Sequence, residues 1–209
     1  MLYLASASPR RRDLLKLAGF RFTVEPAEID EVISQDDPAC LVQNLALKKA
    51  RAVAKLHPDD VVLAADTVVA LDNHILGKPQ DKEQAQKMLR MLSNRVHQVY
   101  TGYCILKQSR CEIGVSCTSV EFYPLSDEDI ESYIATGEPF DKAGGYGIQS
   151  LGALLVRKID GDFYNVVGLP IAEISRLLRT FGSSKTAAES NHEKRVQRCR
   201  IFAETVPMF

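Results

Sequence analysis

The stretch LYLASASPRRR, residues 2–12, decides how the fold begins. Residues 2–5 have the pattern of a short buried strand. Ser8 is a preferred helix N-cap, and Pro9 follows at the first helical position, where its missing N–H group costs nothing. Leucines then recur at helical spacing until Gly19, which predicts that the helix ends there. A strand that leads directly into the positive end of a helix is therefore expected.

Three arginines, Arg10, Arg11 and Arg12, occupy the first turn of this predicted helix. Basic side chains are unfavourable at a helix start, because the helix dipole is positive there. Their presence is explained if an anion shares the site, and a phosphate is the natural candidate. The segment therefore predicts a phosphate-binding helix start.

The composition narrows the class of protein. The chain has 209 residues, enough for one substantial core or one domain with two lobes. Its formal net charge of −1 gives no overall basic field, so nucleic-acid binding is not expected. Five cysteines without a CxxC motif and four dispersed histidines predict free thiols and no zinc site. We expect a cytoplasmic protein without a membrane contact, since no apolar run approaches the ~20 residues that span a bilayer.

Strand and helix patterns alternate along the chain, which is typical of an α/β domain. Between the predicted elements, residues 73–74 are expected to form a turn. Strands are expected at 22–24, 61–65 with an extended continuation to 71, 98–106, 114–122 and 153–159, and helices at 38–56, 81–92, from 126 onward, and 170–181.

Asp66 is the sharpest catalytic candidate. It follows the apolar run 61–65, which is typical of a strand buried on both faces. At the carboxyl end of such a run it is expected at the edge of the sheet where α/β proteins bind ligands. An aspartate at a strand end also commonly caps a turn through its own backbone, and from spacing alone both interpretations stay open.

Several charged residues are candidates for phosphate or metal binding. Lys49 and Lys78 are suited to phosphates as point charges, and Arg11 to a bidentate contact. A solvated surface charge is the alternative for each. The acidic stretch at Glu28, Asp30 and Glu31 is suited to holding a divalent cation together with Asp66. An acidic loop without that role is an equally good interpretation.

The segment at 141–149, DKAGGYGIQ, has three glycines in four positions. Glycines let a ligand approach the backbone closely, with N–H groups available for contacts. Gln149 carries an amide donor and an acceptor, a pair suited to one edge of a pyrimidine. A surface turn is the alternative, because glycine density alone is a weak signal.

The order of these signals along residues 2–181 resembles the Maf family of nucleoside triphosphate pyrophosphatases. The segments that carry the resemblance are SASPRR (6–11), Lys49-Ala50, Ala65-Asp66-Thr67, Gly77-Lys78-Pro79, Thr101-Gly102, the segment 141–149 and NVVGLP (165–170).

The resemblance implies a fold and a reaction. The expected fold is α/β, an elongated mixed sheet with flanking helices in two lobes, similar to inosine-triphosphate pyrophosphatases. Maf proteins cleave nucleoside triphosphates to a monophosphate and pyrophosphate with a divalent metal, here expected to be Mg²⁺ or Mn²⁺. Asp66 is then the expected proton acceptor that activates water and a metal ligand, with Glu31 as the further metal ligand.

The resemblance also implies which side chains bind the substrate. Arg11, Lys49 and Lys78 are expected to neutralise the triphosphate and the leaving pyrophosphate. Ser8 and the amides of the first helix are expected to hold phosphate oxygens. A homodimer is expected by family analogy only.

Three positions bear on base specificity within the family. Arg10, Thr67 and Gln149 match the branch that cleaves dTTP and UTP, whereas the 7-methyl-GTP branch resembles Ser-Pro-Trp-Arg, Asp-Gln and Ser-Glu there. The leading hypothesis is therefore a house-cleaning hydrolase of pyrimidine nucleotides. The alternatives are a 7-methyl-GTP or broader pyrophosphatase, and a nucleotide-sensing regulator of cell division.

Two features depart from the family pattern. Residues 1–182 are expected to form the nucleotide-cleaving domain, whereas the polar segment 183–209 is interpreted as an appended tail to which no role is carried over. Ser150 occupies a position where a glycine is usual. A serine is expected to be tolerated there unless the backbone requires a positive φ.

Overall fold

A computed structural model of the chain describes residues 1–29, 37–72 and 74–183. Over these residues the protein is an α/β fold with one seven-stranded mixed sheet and flanking helices, as the sequence predicted. The strands are β1 (Leu2–Leu4), β2 (Thr23–Val24), β3 (Val61–Leu71), β4 (His74–Leu76), β5 (Val96–Lys107), β6 (Arg110–Phe122) and β7 (Val156–Asp160). The helices are α1 (Pro9–Leu17), α2 (Pro38–Ala54), α3 (Lys82–Leu92), α4 (Asp127–Ala135), α5 (Phe163–Val167) and α6 (Ile171–Thr180).

The sheet is parallel at one edge and antiparallel across the rest. The order of its strands is β2-β1-β3-β5-β6-β7, and β4 pairs with β3. β1 runs parallel to both β2 and β3, whereas β3, β5, β6 and β7 form antiparallel pairs. The antiparallel pairs β3–β5 and β5–β6 are long, so most of the pairing between strands lies at the centre of the sheet.

β3 is the central strand, and one of its two sides is covered only at its ends. β5 pairs with it from Val62 to Ala70. On the other side, β1 pairs with residues 61–63 and β4 pairs with residues 69–71. Between these two partners no strand of the described chain covers β3, and Asp66 and Thr67 lie in this interruption.

The prediction that Asp66 lies at the carboxyl end of a buried strand is wrong in this detail. β3 continues without a break to Leu71, and Asp66 is near its middle. The reason is that residues 68–71 are as well buried as residues 61–65, since residues 69–71 pair with β4 and their neighbours lie in apolar clusters. The place where the sequence predicted a ligand edge is therefore the interruption between β1 and β4, and not a strand end.

The two faces of β3 pack against different helices. Val62 and Ala64 lie in one cluster with the α2 residues Ala46 and Ala50. Leu63 and its odd-numbered neighbours lie in another cluster with residues of α1 and α6. Successive side chains of a strand point to opposite faces, so Asp66 points toward α2 and Thr67 toward the α1 side.

Gly102 lets α2 approach the sheet closely. It pairs with Asp66 across β3 and β5, and a Cβ atom at this position would lie 2.6 Å from the backbone nitrogen of Gln43 in α2. Since no other residue type lacks this atom, the glycine allows α2 to lie directly over the part of the sheet that carries Asp66.

Other differences from the predicted elements are local. The strand expected at 153–159 begins only at Val156, because a 3-10 helical segment occupies Ser150–Leu155. The turn expected at 73–74 overlaps β4 at His74, while residue 73 lies outside the described residues. Helix α5 was not predicted because it has only five residues. Helix α4 begins at the predicted cap, where Ser126 and Asp129 form a reciprocal capping box.

The φ angle of Ser150 leads to a stability prediction. Ser150 has φ +53°, in the left-handed region that glycine adopts at no steric cost. We expect Ser150→Gly to raise the free energy of unfolding by about 0.5–1 kcal/mol. Glycine relieves the strain of the left-handed conformation in the folded protein, and this gain is partly offset because glycine also gives the unfolded chain more conformational freedom. Urea denaturation measures this change.

Ser150→Ala is the matched control, because it removes the hydroxyl group but keeps the Cβ atom and its strain. It should not be stabilised. A Ser150→Gly variant that is no more stable than Ser150→Ala contradicts the prediction.

Candidate functional site

The interruption in the strand pairing beside β3 opens into a cleft of about 610 Å³. Its walls come from the β1–α1 connection, α2, the middle of β3, the loop after β4, the glycine-rich segment 141–149 and residues 166–168. The cleft brings together these predicted site residues: Ser8, Arg10, Arg11, Lys49, Asp66, Thr67, Lys78 and Gln149. Glu31 lies outside the described residues.

The amino end of α1 faces the cleft. Ser8 is the N-cap residue and Pro9 the first helical residue, as predicted, but the side chain of Ser8 makes no capping hydrogen bond. The backbone N–H of Ser8 is directed instead to Oγ of Ser6, at 3.3 Å. The first turn of α1 contains no acidic residue. The positive end of the helix dipole is therefore offered to whatever occupies the cleft.

Arg11 is buried and held in one orientation by three neutral oxygens. Its Nε donates to the backbone carbonyl of Gly168 at 2.9 Å. The two terminal nitrogens donate to Oγ of Ser6 and Oγ1 of Thr67, each at 3.0 Å. Because these contacts come from three separate segments, the guanidinium group is positioned before any ligand arrives.

Lys49 and Asp66 form a buried ion pair at the floor of the cleft. Lys49 extends from the buried face of α2, and its Nζ donates to Oδ1 of Asp66. Both residues are less than a tenth exposed. Removing two opposite charges from water costs several kcal/mol per ion before their attraction offsets it, so such a pair is weak support for stability. Buried charges in a cleft are typical of functional sites.

Arg10 crosses the cleft to the glycine-rich segment. One of its terminal nitrogens donates to Oδ2 of Asp141 at 3.1 Å, while Nζ of Lys142 donates to the other oxygen at 2.5 Å. Burial acts to raise the pKa of Asp141, but the hydrogen bond from Lys142 and the charge of Arg10 hold it below its usual range. The carboxylate thus stays ionised between two cations.

Backbone contacts hold the glycine-rich segment in place. Gly144 and Gly145 have φ angles of +70° and +69°. The N–H of Gly144 donates to the carbonyl of Gly77 at 2.9 Å, which ties the segment to the loop that carries Lys78. The N–H of Gly147 donates to the phenol oxygen of Tyr133 at 3.0 Å. The sequence predicted that N–H groups of this segment would be available to a ligand, but those of Gly144 and Gly147 are already bonded within the protein.

His97 was missed in the sequence. It is fully buried on β5, with Nε2 at 2.7 Å from the phenol oxygen of Tyr146, and its ring packs edge-on against Phe122 and Tyr146. Burial lowers its pKa to about 4. The one signal in the sequence is its spacing, because His97 is in phase with the buried residues Val99 and Thr101.

Thr101 and Asn165 were also missed as site residues, although both lie in segments that carry the family resemblance. Thr101 Oγ1 lies 2.9 Å from Thr67 Oγ1 and donates to the carbonyl of Asn165, also at 2.9 Å. Both residues are completely buried. A chain of hydroxyl groups therefore links the wall of the cleft to the interior.

Among the described residues, the carboxylate of Asp66 offers an oxygen ligand that fits a divalent cation. Within 1–29, 37–72 and 74–183 no three His, Cys, Asp or Glu side chains are grouped to hold a metal. Mg²⁺ in nucleotide sites is commonly bound by one or two carboxylates together with substrate phosphates and water. The carboxylate of Asp66 in the cleft fits such a shared ion.

The fold and the cleft together define an α/β protein with a cationic pocket suited to a polyphosphate, built around a buried carboxylate. The chain belongs to the Maf-like protein family, whose sequence profile matches residues 1–181.

Individual relatives are similar over most of their length. A dTTP/UTP pyrophosphatase of Bacillus pumilus is 50% identical over 182 residues, which cover 87% of this chain and 96% of that protein. A protein of the same name from Moorella thermoacetica is 51% identical over 184 residues, which cover 87% and 95%. Among solved structures, the Staphylococcus aureus Ham1 protein is 17% identical with a TM-score of 0.44, covering 58% of this chain and 71% of that one.

None of the helices within residues 1–29, 37–72 and 74–183 combines the length and the apolar character that a membrane crossing requires.

The burial of His97 predicts a pH dependence of stability. Its pKa is about 4 in the folded protein and about 6.5 in the unfolded chain, so between these values only the unfolded chain takes up the proton. The free energy of unfolding should therefore fall as the pH is lowered from 6.5 to 4, by up to about 3 kcal/mol from this group.

Urea denaturation at pH 7 and at pH 4.5 measures the fall, with His97→Gln as the comparison. The variant cannot take up this proton but keeps every carboxylate, so its loss between the two pH values should be clearly smaller. An equal loss in both proteins contradicts the prediction.

Proposed function

We propose that the protein hydrolyses dTTP and UTP to the nucleoside monophosphate and pyrophosphate, as a house-cleaning enzyme of the nucleotide pool. The observation that carries the proposal is the Lys49–Asp66 pair, buried in a cleft that also contains the start of α1 and Arg11. The names of relatives at about half identity over nearly their whole length support the substrate class.

The cationic groups would bind the triphosphate. The amides at the start of α1 and the positive end of its dipole favour phosphate oxygens. Lys78 lies on the exposed side of the cleft and Lys49 on the buried side, so the two ammonium groups would contact the triphosphate at different depths. Arg11 would add a guanidinium group that is already oriented.

Asp66 would accept the proton of the attacking water. As the water oxygen bonds to phosphorus at the α–β anhydride, its proton moves to the carboxylate and the bond to the bridging oxygen breaks. Pyrophosphate then leaves with the negative charge that Lys49, Lys78 and Arg11 stabilise. Lys49 contacts Asp66 directly, and it would therefore hold a phosphate group close to the carboxylate that accepts the proton.

A divalent cation, Mg²⁺ or Mn²⁺, is proposed as the cofactor. Asp66 and Glu31 would hold it, and when bound it would polarise the phosphate oxygens and offset their charge. The support is the oxygen chemistry of Asp66 and the acidic sequence around Glu31.

Three side chains would choose the base. Gln149 has the donor and acceptor that a uracil or thymine edge requires, and it lies on the cleft wall. Arg10 would act from α1, across the cleft from Gln149. Its side chain already reaches the glycine-rich segment at Asp141. Thr67 would act from the floor beside Arg11.

The remaining assignments concern the whole protein. We propose that residues 1–182 are the catalytic unit and that 183–209 is an appendage, since the family profile ends at residue 181. A cytoplasmic location is supported by the free thiols of Cys104, Cys111 and Cys117. A homodimer stays a prediction that sedimentation of the full chain tests.

Asp66→Asn tests the catalytic assignment. The amide cannot take up the proton of water, so the rate of pyrophosphate release from dTTP should fall by about 10²–10⁴-fold. Binding of a non-hydrolysable dTTP analogue, measured by calorimetry, should persist.

Asp13→Asn removes a carboxylate from the exposed side of α1 and is the matched control, with an expected rate near that of the unchanged protein. An Asp66→Asn variant that keeps more than a tenth of the activity contradicts the role of Asp66.

The substrate class is tested by a panel of nucleotides with Mg²⁺ or Mn²⁺. The expected order of kcat/KM places dTTP and UTP first, because the base-facing residues match a pyrimidine edge. Faster release of pyrophosphate from 7-methyl-GTP than from dTTP or UTP contradicts the proposed specificity.

A further inference from the structure

A series of hydrogen bonds, whose direction can be deduced, links three groups. They are the hydroxyl groups of Thr67 and Thr101 and the backbone carbonyl of Asn165. Thr101 has one hydroxyl proton, and it is donated to the carbonyl oxygen of Asn165 at 2.9 Å. A carbonyl oxygen can only accept. At the 2.9 Å contact between the two hydroxyl groups, Thr101 must therefore accept, and the proton comes from Thr67.

Asn165, which accepts the last hydrogen bond of this series, is held in place. The side-chain amide of Asn165 donates to the carbonyl of Val99 and to Oγ1 of Thr118, each at 2.9 Å. The carbonyl of Asn165 also accepts the N–H of Gly168 at 2.9 Å. Since Asn165 is completely buried, it cannot turn this carbonyl away, and the direction of the whole series is set.

Thr67 is therefore left with acceptor capacity only. Its proton is used toward Thr101, and one lone pair accepts the terminal nitrogen of Arg11 at 3.0 Å. A hydroxyl oxygen has two lone pairs, so one remains for a ligand in the cleft that Thr67 lines. Within the described part of the chain no other donor reaches it.

A fixed acceptor discriminates between the two halves of a nucleoside triphosphate. Phosphate oxygens are acceptors, so they gain nothing from Thr67 in this state. The nucleoside half carries donors: the N3–H group of thymine and uracil, and the 3′-hydroxyl group of the sugar. Cytosine has an acceptor at N3 and is rejected by a fixed acceptor, because two lone pairs would face each other.

We propose that Thr101 is a positioning residue that makes Thr67 an obligate acceptor for a hydrogen-bond donor of the nucleoside. The inference rests on the proposed function for the identity of the substrate, but the chain of hydrogen bonds is independent of the reaction.

Thr101→Val tests the proposal, because it keeps the shape of the side chain and removes the hydroxyl group. The proton of Thr67 is then free to turn into the cleft. We expect the kcat/KM ratio of dTTP over dCTP to fall by about fivefold if the donor is N3–H. If the donor is the 3′-hydroxyl, the ratio of dTTP over 2′,3′-dideoxythymidine triphosphate should fall instead. A fall in neither ratio overturns the proposal.

Two variants separate positioning from general damage. Thr101→Ser restores the hydroxyl group and should return the affected ratio to its original value. Thr118→Val removes another buried hydroxyl group, one that accepts from the side chain of Asn165. That side chain keeps its bond to Val99 and the carbonyl of Asn165 keeps the N–H of Gly168, so the path to Thr67 is left in place. The Thr118→Val variant should leave both ratios unchanged, and an equal shift in it overturns the proposal.

Binding measurements keep the test independent of turnover. Calorimetry with the α,β-methylene analogues of dTTP, dCTP and dideoxythymidine triphosphate should give the same shift in the ratio of Kd values. If the unchanged protein binds these analogues but releases no pyrophosphate from dTTP, the proposed reaction fails while the role of Thr101 is still decided. Thr101→Ala serves in the same comparison if Thr101→Val does not fold, and unaltered Kd ratios in it overturn the proposal.

Discussion

The side of β3 that no strand covers between β1 and β4 is the constraint on which the site depends. Elsewhere the central strand is paired on both sides and packed on both faces, which leaves no room for a ligand. From residue 64 to residue 68, which includes Asp66 and Thr67, one side of the strand has no partner strand in the described part of the chain, while β5 pairs continuously along the other side. The alternation of the strand then sends Asp66 to the α2 side and Thr67 to the α1 side. One interruption thus gives a single cleft access to functional groups on both faces of the sheet.

Each charged group in this cleft is held by neighbours that belong to the fold. Lys49 reaches Asp66 because Gly102 lets α2 lie close to β5. Arg11 is fixed by Ser6, Thr67 and the carbonyl of Gly168. Buried ions of this kind contribute little net stability, since the cost of removing them from water offsets their attraction. The proposed function of the cleft accounts for their presence, because a polyphosphate would meet charges whose geometry is already set.

The chemistry-bearing residues could largely be predicted from the sequence, but their arrangement could not. Asp66 after an apolar run, the arginines after Ser8-Pro9 and the glycine-rich segment are local signals, and the structure brings them together. The interruption in the pairing beside β3 depends on which strands pair with its two ends. This pairing is set by distant segments and is not encoded in the local sequence. His97, Thr101 and Asn165 follow the spacing of core residues, so their polar roles became visible only with their partners. Ser150 shows the same limit, because its positive φ is a property of the folded loop.

A crystal structure of the protein with a non-hydrolysable dTTP analogue and Mg²⁺ would show whether the triphosphate binds in the cleft beside β3. We expect phosphate oxygens within hydrogen-bond distance of the first amides of α1 and of Lys49, with the pyrimidine facing Gln149. A nucleotide bound with its base at the start of α1, or bound outside this cleft, would contradict this expectation.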